Sequence, residues 1–319
     1  MDRRIALVSL PFASSRRPSL QIGLLAGLAR EAGWQADPLH VNLDFARMLG
    51  RARYEALCQH RWTMLSEWVF AGAAFSGQDH TIEGTLTGFD IDPSTSALGM
   101  PADDALAWLH RVRSVLAPAF LRAVSEGIDW SAYDVVGFTS TFQQNVASLA
   151  LARAIKEEHP RVTTLFGGAN FDSVMGLEYL RVFPYVDYAA IGEADTSLPS
   201  FLRDFTGPDT VVHTPGMAHR DPETGEVLLE PLDTPFDDLD ALPTPDYDDY
   251  FDRATRLGFF DHDSPARIDL PYKSARGCLR HPSSAGAPLR HVGAWLRDHA
   301  RLRRGQGALR GSPRDGTAA

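Results

Sequence analysis

The chain has 319 residues, of which 44% are hydrophobic and 23% are charged, a composition typical of a globular protein with room for two domains. Its net charge of −10 argues against a general nucleic-acid-binding protein, and no apolar run is long enough to predict a membrane span. The two cysteines, Cys58 and Cys278, provide no disulfide framework, which fits a protein of the reducing cytoplasm.

The N-terminal part of the chain predicts two strands with a helix between them. The continuous apolar run at 5–12 is typical of a buried parallel strand. Pro18 and Ser19 open a helix that ends at Gly33, and residues 34–42 supply the second strand.

The next segment, residues 45–126, interrupts this alternation of strands and helices. Aromatic and aliphatic residues recur there at helical spacing on either side of a Gly/Asp/Thr-rich stretch at 77–101. We interpret the segment as a helical insertion with one long loop, and its apolar stripe as core packing.

The alternation resumes after residue 132. Strand patterns at 133–141, 162–170 and 186–195 are each followed by a helical pattern. Five strands that alternate with helices predict an α/β fold: a doubly wound, five-stranded parallel, Rossmann-like sheet with right-handed crossovers.

Four regions follow from these patterns. Residues 1–205 are predicted to form the sheet domain, 206–263 a hairpin and an acidic, Pro-containing linker, and 264–278 the first strand of a new domain. Residues 279–319 carry eight arginines against two aspartates, a net charge of +6. That composition is expected of a GC-rich gene read in a shifted frame, with a genuine disordered basic tail as the alternative.

The candidate binding residues are those that follow the predicted strands, because ligands of open parallel sheets bind beyond the carboxyl ends of the strands. A glycine there can simply make a turn, whereas the whole set of glycine and short polar residues favours a bound ligand. No GxGxxG fingerprint follows the first strand, which disfavours a NAD-type site. The set comprises Pro11, Ser19, Asn42, Asp44, Thr139, Ser140, Thr141, Gly167, Gly168, Asn170, Gly192 and Glu193.

Three histidines show no spacing typical of metal ligands. His40, His60 and His80 are separated by 20 residues each, and we interpret each of them as a surface histidine.

Several stretches in combination resemble one family. They are LVSLPFASSRRPSLQIGLL, VNLDFA, YDVVGFTSTFQQNVASLALARAIKE, FGGANFD, LPTPDYDDYF and LPYKSARGC. Across about residues 4–278 the chain resembles the radical S-adenosylmethionine (SAM) proteins of ribosomal-peptide (RiPP) maturation that carry an N-terminal cobalamin-binding domain. The resemblance implies that the strand-end residues bind cobalamin. It also implies a second, partly barrel-shaped domain with a [4Fe–4S] cluster and SAM, and C-methylation of a ribosomally made precursor peptide.

The chain departs from that family at the cluster motif. Cys278 matches the first cluster cysteine, but no further cysteine follows it, so it stands as a lone remnant of the motif. One thiolate cannot hold a [4Fe–4S] cluster, and neither the cluster nor SAM is expected to bind. We therefore interpret the chain as truncated or frameshifted at the start of the radical SAM domain. Cys58 is interpreted as a small buried hydrophobe.

A second departure concerns cobalamin itself. The chain lacks the DxHxxG motif that supplies an axial histidine in many cobalamin domains, which favours binding without a histidine ligand. Two alternatives stay open: a non-enzymatic module that binds a peptide or partner through 45–126, and one half of a split radical SAM enzyme. The domain is also compatible with a different planar or nucleotide-like ligand. Whether the chain is an enzyme, and its oligomeric state, are left open.

Overall fold

The computed structural model describes residues 3–59, 64–75, 98–232, 236, 238–260 and 268–273. The described residues within 1–235 and 243–271 form one compact unit, and those within 236–242 and 272–273 belong to a second. The first unit contains the whole β-sheet. No helix in the described part of the chain is long and apolar enough to cross a bilayer.

The sheet has seven strands in the order β2-β1-β3-β4-β5-β6-β7. The first five are parallel, and the last two are antiparallel. The α/β prediction is therefore confirmed, while the sheet has two more strands than the five predicted. The strands are β1 (Arg4–Ser9), β2 (Gln35–Leu39), β3 (Val135–Thr139), β4 (Thr163–Gly167), β5 (Tyr188–Ala190), β6 (Met217–Arg220) and β7 (Val227–Leu229).

The two added strands come from the hairpin that the sequence placed outside the sheet domain. β6 pairs with β5, whose three residues would otherwise leave an open sheet edge. The division at residue 205 therefore does not separate the hairpin from the sheet.

Helices cover both faces of the sheet. On one face, Ile5 and Leu7 of β1 pack with Ile22 and with Phe201 in a single buried cluster. On the other face, Val8 belongs to a larger buried cluster that takes in the insertion. The helices are α1 (Leu20–Glu31), α2 (Asn42–Leu49), α3 (Arg51–Gln59), α4 (Leu65–Ala74), α5 (Ala102–Arg111), α6 (Ala117–Gly127), α7 (Asn145–Glu158), α8 (Val174–Val182), α9 (Ala194–Asp204) and α10 (Asp248–Arg256), with a π-helical turn at Val112–Leu116.

The described part of the insertion is mostly helical, and its first helix starts at Asn42 rather than at residue 45. Three of its described aromatic residues, Phe45, Phe70 and Phe120, are core: they are buried against one another, with ring centroids 5.0–6.1 Å apart. Most of the long loop predicted at 77–101 lies outside the described residues, which resume at residue 98.

The second half of the predicted acidic linker is not a solvated connector. Asp246 donates its backbone N–H to the carbonyl of Gly23 (3.2 Å), and its carboxylate pairs with Arg30 (2.7 Å). Further along, Tyr250 of α10 is fully buried. Asp246 can approach α1 this closely because residue 23 is a glycine: a Cβ there would lie 2.6 Å from the carbonyl oxygen of Asp246. Residues 243–250 therefore pack on the sheet domain.

We expect Gly23→Ala to lower the free energy of unfolding by about 1–3 kcal/mol, as overpacking a close contact does. Denaturant unfolding measures the loss, and hydrogen exchange at the Asp246 N–H should speed up. Gly127→Ala is the matched control, because nothing lies within 4 Å of a Cβ at that helical position. An equal loss in both variants would contradict the close contact.

The predicted first strand at 264–278 is not seen. Residues 268–273 form no strand, and 264–267 and 274–278 lie outside the described residues. Cys278 and the segment 279–319 are likewise outside them.

Candidate ligand-binding cleft

A cleft lies where the strand order reverses. β1 is flanked by β2 on one side and β3 on the other, so the connections that leave β1 and β3 diverge at their carboxyl ends. A cavity of about 320 Å³ opens there, which is within the range of small-molecule sites. It is lined by Ser9, Phe12, Ala13, Ser14, Arg17, Pro18, Ser19, Leu20, Gln21, His40, Asn42, Cys58, Gln59, Thr141, Phe142, Gln143, Gln144 and Pro271.

The loop after β1 forms one wall and is held by the insertion. Buried Glu55 accepts hydrogen bonds from the backbone N–H (2.5 Å) and hydroxyl (2.7 Å) of Ser15 and from the hydroxyl of Ser14 (2.9 Å). The carbonyl of Ala13 accepts from the hydroxyl of Tyr54 at 2.6 Å. Helix α3 therefore fixes the loop that the ligand would contact.

His40 forms the floor of the cleft, and its interpretation as a surface histidine is wrong. Its side chain is 1% exposed. Its Nε2 accepts from the backbone N–H of Ser19 (3.0 Å), which leaves Nδ1 to donate to Asp249 (3.1 Å). Both ring nitrogens are thus used, and His40 ties α1, β2 and α10 together. His60 and His80 lie outside the described residues.

Asp249 holds His40 in this position. It also accepts from the backbone N–H of His40 (2.7 Å), and Arg253 lies 3.5 Å away. Burial would raise the pKa of Asp249, but the hydrogen bonds from His40 and the charge of Arg253 outweigh burial and lower that pKa.

Asn42 lines the cleft and has a buried side-chain acceptor. Its amide nitrogen donates to the carbonyl of Ala13 (3.1 Å), while its Oδ1 is buried and has no hydrogen-bond partner among the described residues. A buried acceptor without a hydrogen-bond partner costs free energy. Asn42 is therefore a wall residue whose side chain the described protein groups do not fully satisfy.

The turn after β3 forms the opposite wall and carries an exposed aromatic ring. Phe142 is 61% exposed and has a φ of 53°, a left-handed conformation that is unusual for a bulky residue. Asn170 stabilises this conformation because its amide donates to the carbonyl of Phe142 (2.8 Å) and to the hydroxyl of Ser140 (3.0 Å). The ring of Phe142 offers an apolar surface at the rim.

Helix α4 of the insertion supports the same turn through a buried carboxylate that the sequence interpretation missed. Glu67 accepts from the first backbone N–H groups of α7, Asn145 (3.1 Å) and Val146 (2.7 Å). Burial raises the pKa of Glu67 to about 7, against the lowering effect of these hydrogen bonds. An isolated glutamate in the otherwise apolar stretch LSEWVFAGAA is the signal that could have indicated it.

The start of α1 makes the cleft favourable for an anionic group. Ser19 caps the helix, no acidic residue lies in its first turn, and exposed Arg17 stands at the rim. Helix N-termini present free N–H groups and a positive dipole end.

The structure brings three of the predicted residues to the cavity wall: Ser19, Asn42 and Thr141. Asp44 lies on the first turn of α2 and pairs with Arg253 at 2.7 Å. Ser140, Gly168 and Asn170 form the hydrogen-bonded junction between β3 and β4 and support the wall rather than line it. Five further predicted residues also do not line the cavity: Pro11, Thr139, Gly167, Gly192 and Glu193.

Cys58 is buried within the core and borders the cleft, where its thiol faces the carbonyl of Ala13 at 3.8 Å. Its interpretation as a small buried hydrophobe is confirmed.

Comparison with models of known protein families gave no match to this chain, and comparison with curated proteins gave none either. The resemblance to cobalamin-dependent radical SAM proteins therefore stays a prediction from the sequence.

Proposed function

We propose that this domain binds cobalamin in the cleft between the ends of β1 and β3. The proposal rests on the resemblance of the sequence and on one observation above all, the cavity of about 320 Å³ at the point where the strand order reverses, lined by Ser19, Asn42 and Thr141. The acetamide and propionamide groups around a corrin ring both donate and accept hydrogen bonds, as these short polar side chains do.

Other residues of the cleft fit parts of the same ligand. The exposed ring of Phe142 suits an apolar, planar surface, and the start of α1 with Arg17 suits the phosphodiester of the nucleotide tail. The cavity of about 320 Å³ takes only a portion of so large a molecule, so the rest would lie beyond the rim.

Among the residues that the structure describes, His40 is the only histidine on the cleft wall, and both of its ring nitrogens are hydrogen-bonded. It is therefore not suited to bind cobalt. The proposal is therefore binding without an axial histidine, in agreement with the missing DxHxxG motif.

When bound, cobalamin supplies a methyl group for transfer, and this chain's residues would hold it and exclude water around it. The two cysteines of the 319 residues are fewer than the three that a SAM-cleaving cluster needs, so we assign SAM cleavage to no residue here. A ribosomally made precursor peptide is proposed as the acceptor on the resemblance alone.

Cobalamin retention tests the proposal. Purified protein incubated with hydroxocobalamin and desalted should keep the red chromophore at about one equivalent per chain, read by absorbance. Thr141→Trp places a large side chain in the cleft and should weaken cobalamin binding at least tenfold, a loss of about 1.4 kcal/mol in binding free energy. The control Thr255→Trp, on the exposed side of α10, should bind like the wild type.

Two outcomes would contradict the proposal. A colourless wild-type eluate would remove cobalamin as the ligand, and equal retention by wild type and Thr141→Trp would place the ligand elsewhere. Binding of ATP in place of cobalamin, again abolished by Thr141→Trp, would assign the cleft to a nucleotide.

A further inference from the structure

A second cluster of chemically active side chains lies on the antiparallel edge of the sheet, away from the cleft. It consists of His213 in the loop before β6, His219 on β6 and Glu230 directly after β7. One possible ligand atom from each residue lies within 4.8 Å of the other two. Imidazole nitrogen and carboxylate oxygen are the ligands that Zn²⁺ and related ions prefer.

Backbone hydrogen bonds fix the positions of His219 and Glu230. His219 lies between Tyr188 of β5 and Leu228 of β7 in the sheet. Glu230 makes two backbone hydrogen bonds at the start of β6: its N–H donates to the carbonyl of Met217 (3.0 Å), and its carbonyl accepts from the N–H of Gly216 (2.7 Å), directly before the strand. Strand pairing therefore sets the positions of His219 and Glu230, and His213 approaches them from the loop before β6.

His219 is the unexplained member of the cluster. It is 1% exposed, and neither of its ring nitrogens has a hydrogen-bond partner among the residues that the structure describes. Burying an imidazole without hydrogen-bond partners destabilises the folded protein. A purely structural role for His219 therefore does not explain its position, whereas ligand binding does. Burial, with the neighbouring His213, lowers the pKa of His219.

The other two residues already face each other. Nδ1 of His213 lies 2.7 Å from a carboxylate oxygen of Glu230, and the rings of His213 and His219 are 4.9 Å apart. This contact satisfies His213 and Glu230 but leaves His219 without a partner. A cation bound between the three side chains would provide a partner for each of them.

We propose that His213, His219 and Glu230 bind one divalent transition-metal ion, with Zn²⁺ as the best match to two imidazoles and a carboxylate. Ligand bonds of about 2.0–2.2 Å bring ligand atoms to about 3.4 Å from one another in a tetrahedron. The side chain of His213 is 62% exposed and can move by the small distance required. Water completes the fourth position. The ion joins the loop before β6 to the outer hairpin.

Metal titration of the full chain tests this site. Chelator-treated wild type, titrated with Co²⁺, should develop the visible absorption of a tetrahedral site and should bind Zn²⁺ in competition with a chromogenic chelator. His213→Ala should lose one equivalent or bind it at least tenfold more weakly. That variant removes an exposed side chain, so its fold should be retained, and Glu230→Gln provides a second variant with the same expected result.

His110→Ala is the matched control, because His110 is exposed on α5 and far along the chain from the cluster. The chain has 11 histidines and two cysteines, so the difference between wild type and variant is the readout rather than the total stoichiometry. Zn²⁺ should raise the Tm of the wild type and of His110→Ala but not of His213→Ala. Equal metal affinity, stoichiometry and Tm shift in wild type and His213→Ala would overturn the proposal.

Discussion

Gly168→Ala is expected to lower the free energy of unfolding by about 2–5 kcal/mol. Gly168 follows β4 with a φ of 98°, a conformation that an L-residue adopts only with strain. A Cβ at this position would also lie 2.5 Å from the carbonyl oxygen of Ser140. The substitution therefore adds a backbone clash to an unfavourable conformation.

Gly192→Ala separates the two contributions. Gly192 follows β5 with a φ of 85°, but nothing lies within 4 Å of a Cβ there. Its substitution should cost only the conformational part, about 1–2 kcal/mol. Chemical denaturation of both variants measures the difference, and similar losses at the two positions would contradict a clash with Ser140.

The clash also connects Gly168 to the cleft. The carbonyl of Ser140 accepts the backbone N–H of Asn170 (3.2 Å), and Asn170 in turn holds Phe142 at the rim. Displacing Ser140 should therefore disturb the wall after β3, so Gly168→Ala is expected to weaken cobalamin retention even where the protein remains folded. Gly192→Ala should not.

Local patterns were enough to predict the parallel part of the fold. All five residues of β3 are buried and so are five of the six in β1, which is why continuous apolar runs indicated both. The hairpin of β6 and β7 was indicated by its turn residues, although β7 has no fully buried residue. The pairing of β6 with β5 is a tertiary contact, and local sequence patterns do not predict it.

The candidate site was predictable to a similar extent. The strand-end rule selected Ser19, Asn42 and Thr141, but it also selected the ends of β4 and β5, because the sequence does not reveal which strands flank the reversal. His40 was misjudged because its partner Asp249 is 209 residues away along the chain. Residue spacing along the sequence does not predict a contact between residues so far apart.

The stability of the protein should also depend on pH through Glu67. Its pKa rises from 4.5 to about 7 on folding because the carboxyl group is buried. The folded state therefore binds a proton more tightly than the unfolded state does, so stability from this group is greatest below pH 4.5. It declines as pH rises from 4.5 to about 7 and is constant above that. The change corresponds to about 3 kcal/mol.

Glu67→Gln should remove this dependence. Glutamine resembles the protonated acid, and its carbonyl can still accept one of the two N–H groups at the start of α7, from Asn145 or Val146. Relative to the wild type, the variant is expected to gain about 3 kcal/mol of stability between pH 4.5 and pH 7.5, measured by urea unfolding at each pH. Glu126→Gln, on an exposed position of α6, should leave the wild-type profile unchanged. Parallel profiles for wild type and Glu67→Gln would show that Glu67 remains ionised in the folded protein, held so by the N–H groups of α7.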